Sequence, residues 1–411
     1  MKIIVIGGGP AGIMAAIRAS QLNQDVTLLE KNSSLGKKLL LSGKGRCNLT
    51  NNCGLDLFLK RFSQNGQFLR DAFKKFFNQD LINFFESRGL KLKVERQLRV
   101  FPVTDQSINI LEVLIKELAK NEVNIIFKTQ VRDLALSDNK IKGVKVNQGD
   151  LIPAEKVILA LGGASYATTG STGDGFEIAK RLGHSVIHLR PGLIPLETDR
   201  RYPVILEGLA LKNIKLNFYS VNKKITSEIG EMVFTDFGIS GPLVLTLSGK
   251  IADWLQDKKP VYVEIDLKPA LTKEQLNARF LREFKLNPKK SIKNALKSFL
   301  PQRLINVFIE ITKIAPDKKT SQVTAKEREA IVSLLKAFRL NILRTRPLND
   351  AMVTRGGISL KEINPRTMES RLIKGLYFAG EIMDIDADTG GFNLQAAFST
   401  GYLAGESAST L

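Results

Sequence analysis

Lys2-Ile3-Ile4-Val5-Ile6-Gly7-Gly8-Gly9-Pro10-Ala11-Gly12 decides the fold. An apolar run of strand length stops at a glycine turn, and Ile13 to Leu22 continues with helical periodicity. A dinucleotide pyrophosphate site requires that order. Gly7 permits the tight turn, Gly9 lets the backbone approach the phosphates, and Gly12 lets helix and strand pack closely. The helix opens on Pro10 and Ala11, and its N-terminus offers unpaired N–H groups and a positive dipole end to a diphosphate. Val26-Thr27-Leu28-Leu29 forms a second strand. Glu30 closes it about twenty residues after the glycines, where a carboxylate accepts from ribose hydroxyls. A glycine turn alone would be an ordinary turn. Strand, helix, second strand and terminal acid agree here, so the sequence predicts an ADP-containing ligand.

The chain of 411 residues is long enough for two domains or more. No apolar run reaches the roughly 18 residues expected of a membrane span. The N-terminus reads as a core strand and not as a signal peptide. Cys47 and Cys53 are the only cysteines and His184 and His188 the only histidines, which leaves a disulfide framework or a cysteine–histidine zinc site poorly supplied. A cytoplasmic location is expected.

The net charge of +20 has no evident use in a small-metabolite enzyme and favours polyanions. Simple solubility would explain an evenly spread excess. The excess is concentrated instead: Lys273 to Arg346 holds 18 lysines and arginines against 6 acids, a pattern closer to a binding face.

Outward from the first turn, Ser42-Gly43-Lys44-Gly45-Arg46-Cys47-Asn48-Leu49-Thr50-Asn51 combines glycines and cations, suited to a loop against phosphates or a polar ring. Phe58 to Gly89 reads as amphipathic helix, its phenylalanines at core spacing. Val131 to Val146 reads as a hairpin around Asp138-Asn139. Lys156 to Leu161 is a buried strand meeting a second glycine turn at Gly162 and Gly163. From about Pro191, short alternating strands appear, with Leu243–Leu247 read as one of them, suggesting a barrel. Thr272 to Lys313 and Ala325 to Phe338 read as basic helices. Leu376 to Glu381 returns to a buried strand, and Leu394 to Ser407 is a small-residue helix expected to lie close to a cofactor or the sheet. The acids Asp384, Asp386 and Asp388 depart from the Ca²⁺-loop spacing, so no metal is expected. A carboxylate bonding a ribityl hydroxyl is the better reading of Glu381.

Taken together, residues 7–12, 42–51, 161–175, 230–242 and 378–405 resemble a bacterial FAD-binding flavoprotein family whose members are described as aminoacetone-oxidase-like, BaiN-like or RdsA-like. The resemblance covers essentially the whole chain. It implies an α/β fold: a Rossmann-like FAD-binding domain of the two-dinucleotide-binding-domain type, interrupted by a β-barrel-like insert that carries a helical subdomain. The corresponding boundaries are 1–190 with 345–411 for the FAD domain, 191–271 with 315–344 for the β-rich insert, and 272–314 for the basic helices. By position, the resemblance assigns the FAD to Gly7, Gly9, Pro10, Ala11, Gly12, Glu30, Lys31, Lys37, Gly45, Arg46, Cys47, Asn48, Val131, Gly162, Gly163, Gly380, Glu381, Asp384, Gly391, Phe392, Asn393 and Leu394. Two departures stand out. Where the family usually shows Phe-Thr-His, this chain has Phe234-Thr235-Asp236, and Asp236 could replace a histidine acid only with a strongly raised pKa. Ala387 stands where the family usually has glycine, which would strain a turn needing positive φ.

RdsA-like members imply reduction of a uridine in 23S ribosomal RNA to dihydrouridine, by hydride transfer to uracil C6 and protonation of C5. The partner would be ribosomal RNA or its precursor, with no membrane involved. The alternative is a small-molecule flavin oxidoreductase, an amine oxidase or an enoyl/steroid-type reductase. Cys47, Asp236 and Asn393 are the candidate catalytic residues, with Arg355 a further candidate for base recognition. NAD(P)H is the expected electron donor, although the chain has no second G-x-G-x-x-G module to bind it.

Overall fold

The computed structural model describes residues 1–147 and 149–410. The chain divides into two compact units, Met1–Gly192 with Leu348–Leu411, and Leu193–Pro347.

The first unit is built on five parallel strands. These are β1 (Lys2–Ile6), β2 (Asp25–Leu29), β3 (Asn124–Ile126), β4 (Lys156–Leu159) and β5 (Leu376–Phe378), in the order β5-β4-β1-β2-β3. Ile3 to Ile6 and Val157 to Leu159 are buried throughout, as continuous apolar runs must be in a parallel sheet covered on both faces. Its principal helices are α1 (Pro10–Gln21), α2 (Ser107–Lys120) and α3 (Phe392–Ala408). The small residues of α3, expected against a cofactor or the sheet, meet α1. A Cβ on Gly401 would drive into the Ala11 carbonyl, and one on Gly405 into that of Ala15, so the two helices touch backbone to backbone.

Phe58 to Gly89 is not one helix. Leu55–Leu59, Arg70–Lys75 and Asn78–Glu86 are separate, with one break around residues 63–66, where Gly66 packs against the Leu59 carbonyl too closely for any side chain, and a second at Phe76 and Phe77, both extended. The aromatic residues form the expected core: Phe58 lies edge-on to Phe73, Phe77 and Phe392, with centroids 5.2, 5.1 and 4.7 Å away.

In the second unit, Leu196–Thr198, Ala210–Ser220, Gly230–Thr235, Gly238–Ser240, Val261–Asp266 and Phe338–Thr345 form an antiparallel sheet. Ala210–Ser220 pairs with both Gly230–Thr235 and Val261–Asp266, which closes the sheet into a barrel. Leu243–Leu247 is not a strand. It lies in the helix Pro242–Gln256. Gly241, at φ +97°, turns the chain, and Pro242 supplies a preset first helical position. The apolar pattern then continues through Ile251 and Ala252, a length that favours helix over strand. The basic helices extend past residue 314 to Lys336, because Thr324 and Glu327 form a capping box that starts Ala325–Lys336. Among the described residues no helix is long and apolar enough to cross a membrane.

Glu362, His184 and Ser370 form a buried carboxylate–imidazole–hydroxyl chain. His184 Nδ1 is 3.0 Å from Glu362 Oε2, and Nε2 is 3.0 Å from Ser370 Oγ. It is a tie and not a nucleophile site, since Ser370 Oγ accepts from the Leu372 and Ile373 N–H groups and both side chains are buried. Burial pushes the His184 pKa down despite Glu362. The folded state therefore binds fewer protons than the unfolded chain as pH falls below about 6.5, and stability falls with it. Thermal melts should show the native protein losing more stability between about pH 7 and pH 5 than a His184→Gln variant. An identical pH dependence in the two would refute this.

Candidate cofactor site

The turn after β1 is shaped by backbone contact. Gly7 sits at φ +107°, and a Cβ on it would collide with the Ala160 carbonyl. Gly12 packs as tightly on the Gly7 carbonyl. Gly9 differs: a Cβ there would meet nothing within 4 Å. The backbone is thus open at the residue that precedes Pro10 and Ala11, at the N-terminus of a 12-residue helix. At the end of β2, Glu30 is buried. Its Oε2 accepts from Gly8 N–H at 2.7 Å, and its Oε1 from the backbone and side-chain nitrogens of Asn32, both at 2.7 Å. The carboxylate fixes the glycine turn directly, and Oε2 retains acceptor capacity. Lys37 donates to Asn32 Oδ1 at 3.2 Å. Lys31 reaches Thr172 Oγ1 at 2.5 Å and Asp174 Oδ2 at 2.9 Å, tying the end of β2 to the second glycine loop. Val131 is buried at the start of a strand, next to Gln130, which also bonds Asp174.

A second cluster surrounds Glu381. Its carboxylate accepts from Lys38 Nζ at 2.7 Å and from Thr354 N–H at 2.7 Å. Thr354 Oγ1 accepts from Ala164 N–H at 2.8 Å and leaves no room for a side chain on Gly163. Gly162, at φ +72°, precedes it in the turn, and Gly380 lies against Ala11. Lys38 and Thr354 were not read as site residues; neither carries a motif, and the fold alone brings them to Glu381.

The loop 42–51 is fixed to the start of α3. The Asn48 carboxamide donates to the Thr50 carbonyl at 3.2 Å and accepts from Gly391 N–H at 3.0 Å. Gly391, at φ +94°, approaches the Thr50 backbone too closely for any side chain. Leu394 is half-buried in the first turn of α3. In the same loop, Gly45 is at φ +83° with open space where a Cβ would be.

Of five residues expected at the ring or the chemistry, four are packed or bonded within the protein and one is exposed. Arg46 bonds Glu95 and Asp105, each at 2.5 Å, and lies 4.2 Å over the Phe101 ring, so its fork is spent on the protein. Phe392 is buried against Phe58. The Asn393 carboxamide accepts from Ala387 N–H and donates to the Ala387 carbonyl, both at 3.0 Å. That clamp holds the acidic loop, and Ala387 takes no positive φ, so the strain expected from the missing glycine is absent. Cys47 is wholly buried, and burial pushes its thiol up to about 12. A sealed, neutral thiol has no route to a substrate. Asp236 belongs to the second unit, exposed in the turn between Gly230–Thr235 and Gly238–Ser240.

The acids beyond Glu381 form a half-buried charge cluster. Arg190 and Arg355 face each other on antiparallel strands. The Arg355 guanidinium is 3.6 Å from Asp386 Oδ2, and Ser63 Oγ bonds Asp386 Oδ1 at 2.5 Å. Asp384 accepts from Asn65 at 3.1 Å. Burial pushes both carboxyls above the usual range, and Asp384 adds to the rise at Asp386.

The open backbone at Gly9, the helix N-terminus beside it and the acid closing β2 fit the diphosphate and ribose of a dinucleotide such as FAD. The burial of the cysteines generates a prediction. Native protein should react slowly at both Cys47 and Cys53 with a water-soluble disulfide reagent at about pH 8, and both should react in denaturant. Rapid native labelling of Cys47 would overturn its place in the packed interior.

The chain matches the family model described as HI0933-like protein Rossmann domain over residues 1–407. It is 33% identical over 99% of its length and 98% of the relative's to a 3-dehydro-bile acid delta(4,6)-reductase of Clostridium scindens. It is 31% identical over 97% of its length and 96% of the relative's to a ribosomal RNA dihydrouridine synthase of Escherichia coli. Among solved structures, a 3-ketosteroid-delta4-(5alpha)-dehydrogenase from Rhodococcus jostii RHA1 shares the fold at TM-score 0.50 and 15% identity, over 100% of this chain and 96% of the other. The protein belongs to the HI0933-like family of FAD-binding Rossmann flavoproteins and is an FAD-dependent oxidoreductase.

Proposed function

We propose that this flavoprotein reduces a uridine of 23S ribosomal RNA to dihydrouridine. The observation that carries the reading is the concentration of charge. The segment from Lys273 to Arg346 holds 18 cations against 6 acids, and Lys289 and Lys297 are exposed on it, with Lys293 half-buried between them. A reductase of small apolar substrates has no need of that excess, whereas phosphate contacts do. The relatives named as ribosomal RNA dihydrouridine synthases, at 31% and 30% identity, support it. The second reading, a steroid-type reductase, is favoured by the relative named as a bile acid reductase, at 33%.

In this reading the N–H groups at Gly9 to Gly12 hold the FAD diphosphate and Glu30 the adenosine ribose, while Glu381 lies along the ribityl chain. Bound FAD, once reduced, supplies the hydride that adds to uracil C6; NAD(P)H is the proposed source of the two electrons. The protein must supply a proton to C5 and grip a base that has left its stack, at a cost of a few kcal/mol. With Cys47 sealed, the group best suited to hold that proton is Asp386, where burial and Asp384 favour the neutral acid while Ser63 and Arg355 keep it in place.

Two predictions follow from this reading. An Asp386→Asn variant should retain FAD but form product about 10²–10⁴-fold more slowly. It should also lack the fall in rate that deprotonation of the acid gives the native enzyme as pH rises. Unchanged rates in single-turnover measurements would remove Asp386 from the chemistry. Separately, deletion of the gene should abolish one dihydrouridine in 23S rRNA. The purified protein should bind that RNA with an affinity that falls steeply with salt and weakens when Lys289, Lys290, Lys293 and Lys297 are neutralised. An unchanged dihydrouridine map together with turnover of a steroid enone would establish the second reading instead.

A further inference from the structure

Apart from the basic helices, the second unit carries an ordered polar face on its barrel. Along Ala210–Ser220, Leu216 and Phe218 point into the core while Tyr219 is turned outward, and Val261–Asp266 and Phe338–Thr345 alternate in the same way. The register places Lys224, Tyr219, Tyr262 and Asn341 in one row across four strands. Tyr219 and Tyr262 stack, with centroids 5.0 Å apart and planes 15° from parallel. Lys224 Nζ lies 5.3 Å from the Tyr219 ring at one end of the stack, and the Arg339 guanidinium 3.6 Å from the Tyr262 ring at the other. The adjoining row pairs Arg339 with Glu264, and Glu264 with Asn217.

This arrangement has two properties that an ordinary solvated sheet face lacks. The cation–aromatic–aromatic–cation ladder fixes the end groups, so their side-chain entropy is already spent. Arg339 is exposed and, among the described residues, forms no hydrogen bond or ion pair. A guanidinium held flat with its donors uncommitted matches a phosphate in shape and charge. Glu264 is half-buried, whereas Lys224 and Arg339, at the two ends of the ladder, are exposed.

We infer that this face of the barrel, from Lys224 to Arg339, is a second RNA-contacting surface that grips the phosphodiester backbone of a single-stranded segment. The inference rests on the RNA reading above. The occupant follows from charge: the ladder ends in free cations, and the same unit carries the whole basic segment of 273–346.

The test measures binding of the FAD-loaded protein to a 23S rRNA fragment across a salt series. An Arg339→Gln/Lys224→Gln variant should bind about tenfold more weakly at roughly 0.1 M salt, with the slope of log affinity on log salt reduced by about 1–2. Its flavin content and melting temperature should match the native protein's. An Arg339→Lys variant should recover the slope but only part of the affinity, because charge returns without the stacked fork. Native affinity and slope in the double variant, alongside lost affinity when Lys289, Lys293 and Lys297 are neutralised, would overturn this surface and leave the RNA reading standing. Native protein that binds no RNA would overturn both.

Discussion

Two helices that touch without side chains between them set the geometry of the first unit. Gly401 and Gly405 of α3 rest on the carbonyls of Ala11 and Ala15 in α1, and Gly380 lies against Ala11 at the same end. That contact fixes where each helix begins. Both N-termini are anchored by loops on the same principle: Glu30 holds the glycine turn before α1, and Asn48 holds Gly391 before α3. Interiors packed to crystal density transmit small displacements, so a methyl group at this crossing would move the N–H groups at both ends.

The geometry of the glycine turn was largely legible in the sequence. Residues 2–12 and Glu30 follow a spacing imposed by local geometry, and the glycines sit where backbone approach demands them. Side-chain roles were less legible. Arg46 and Cys47 lie in the most distinctive loop of the chain, yet one is bound to Glu95 and Asp105 and the other is sealed in the core. A motif records that residues recur together and not which way each side chain points. Lys38, Thr354 and Asp386 were missed or passed over for the converse reason: they reach Glu381 and Arg355 through tertiary pairing alone.

Leu243–Leu247 shows the same limit at the level of fold. Four apolar residues in a run of five among strands read as another strand, and only the burial of Ile251 and Ala252 about a turn further on reveals the helix. Phe338–Thr345 went unread although its alternation is clear, since Phe338, Leu340 and Ile342 are buried while Arg339, Asn341 and Leu343 are exposed. That strand closes the barrel, and its outward residues include the arginine stacked on Tyr262.

The discontinuity of the first unit has a consequence for how the protein is made. β5 and α3 leave the ribosome after the entire second unit, yet β5 pairs with β4 and α3 seals α1. A nascent chain of about two hundred residues therefore carries the complete glycine turn but exposes the apolar flank of α1 and an unpaired edge of β4. Synthesis must run past the second unit and through α3 before that flank is covered. Until then the half-built nucleotide fold is open to chaperones.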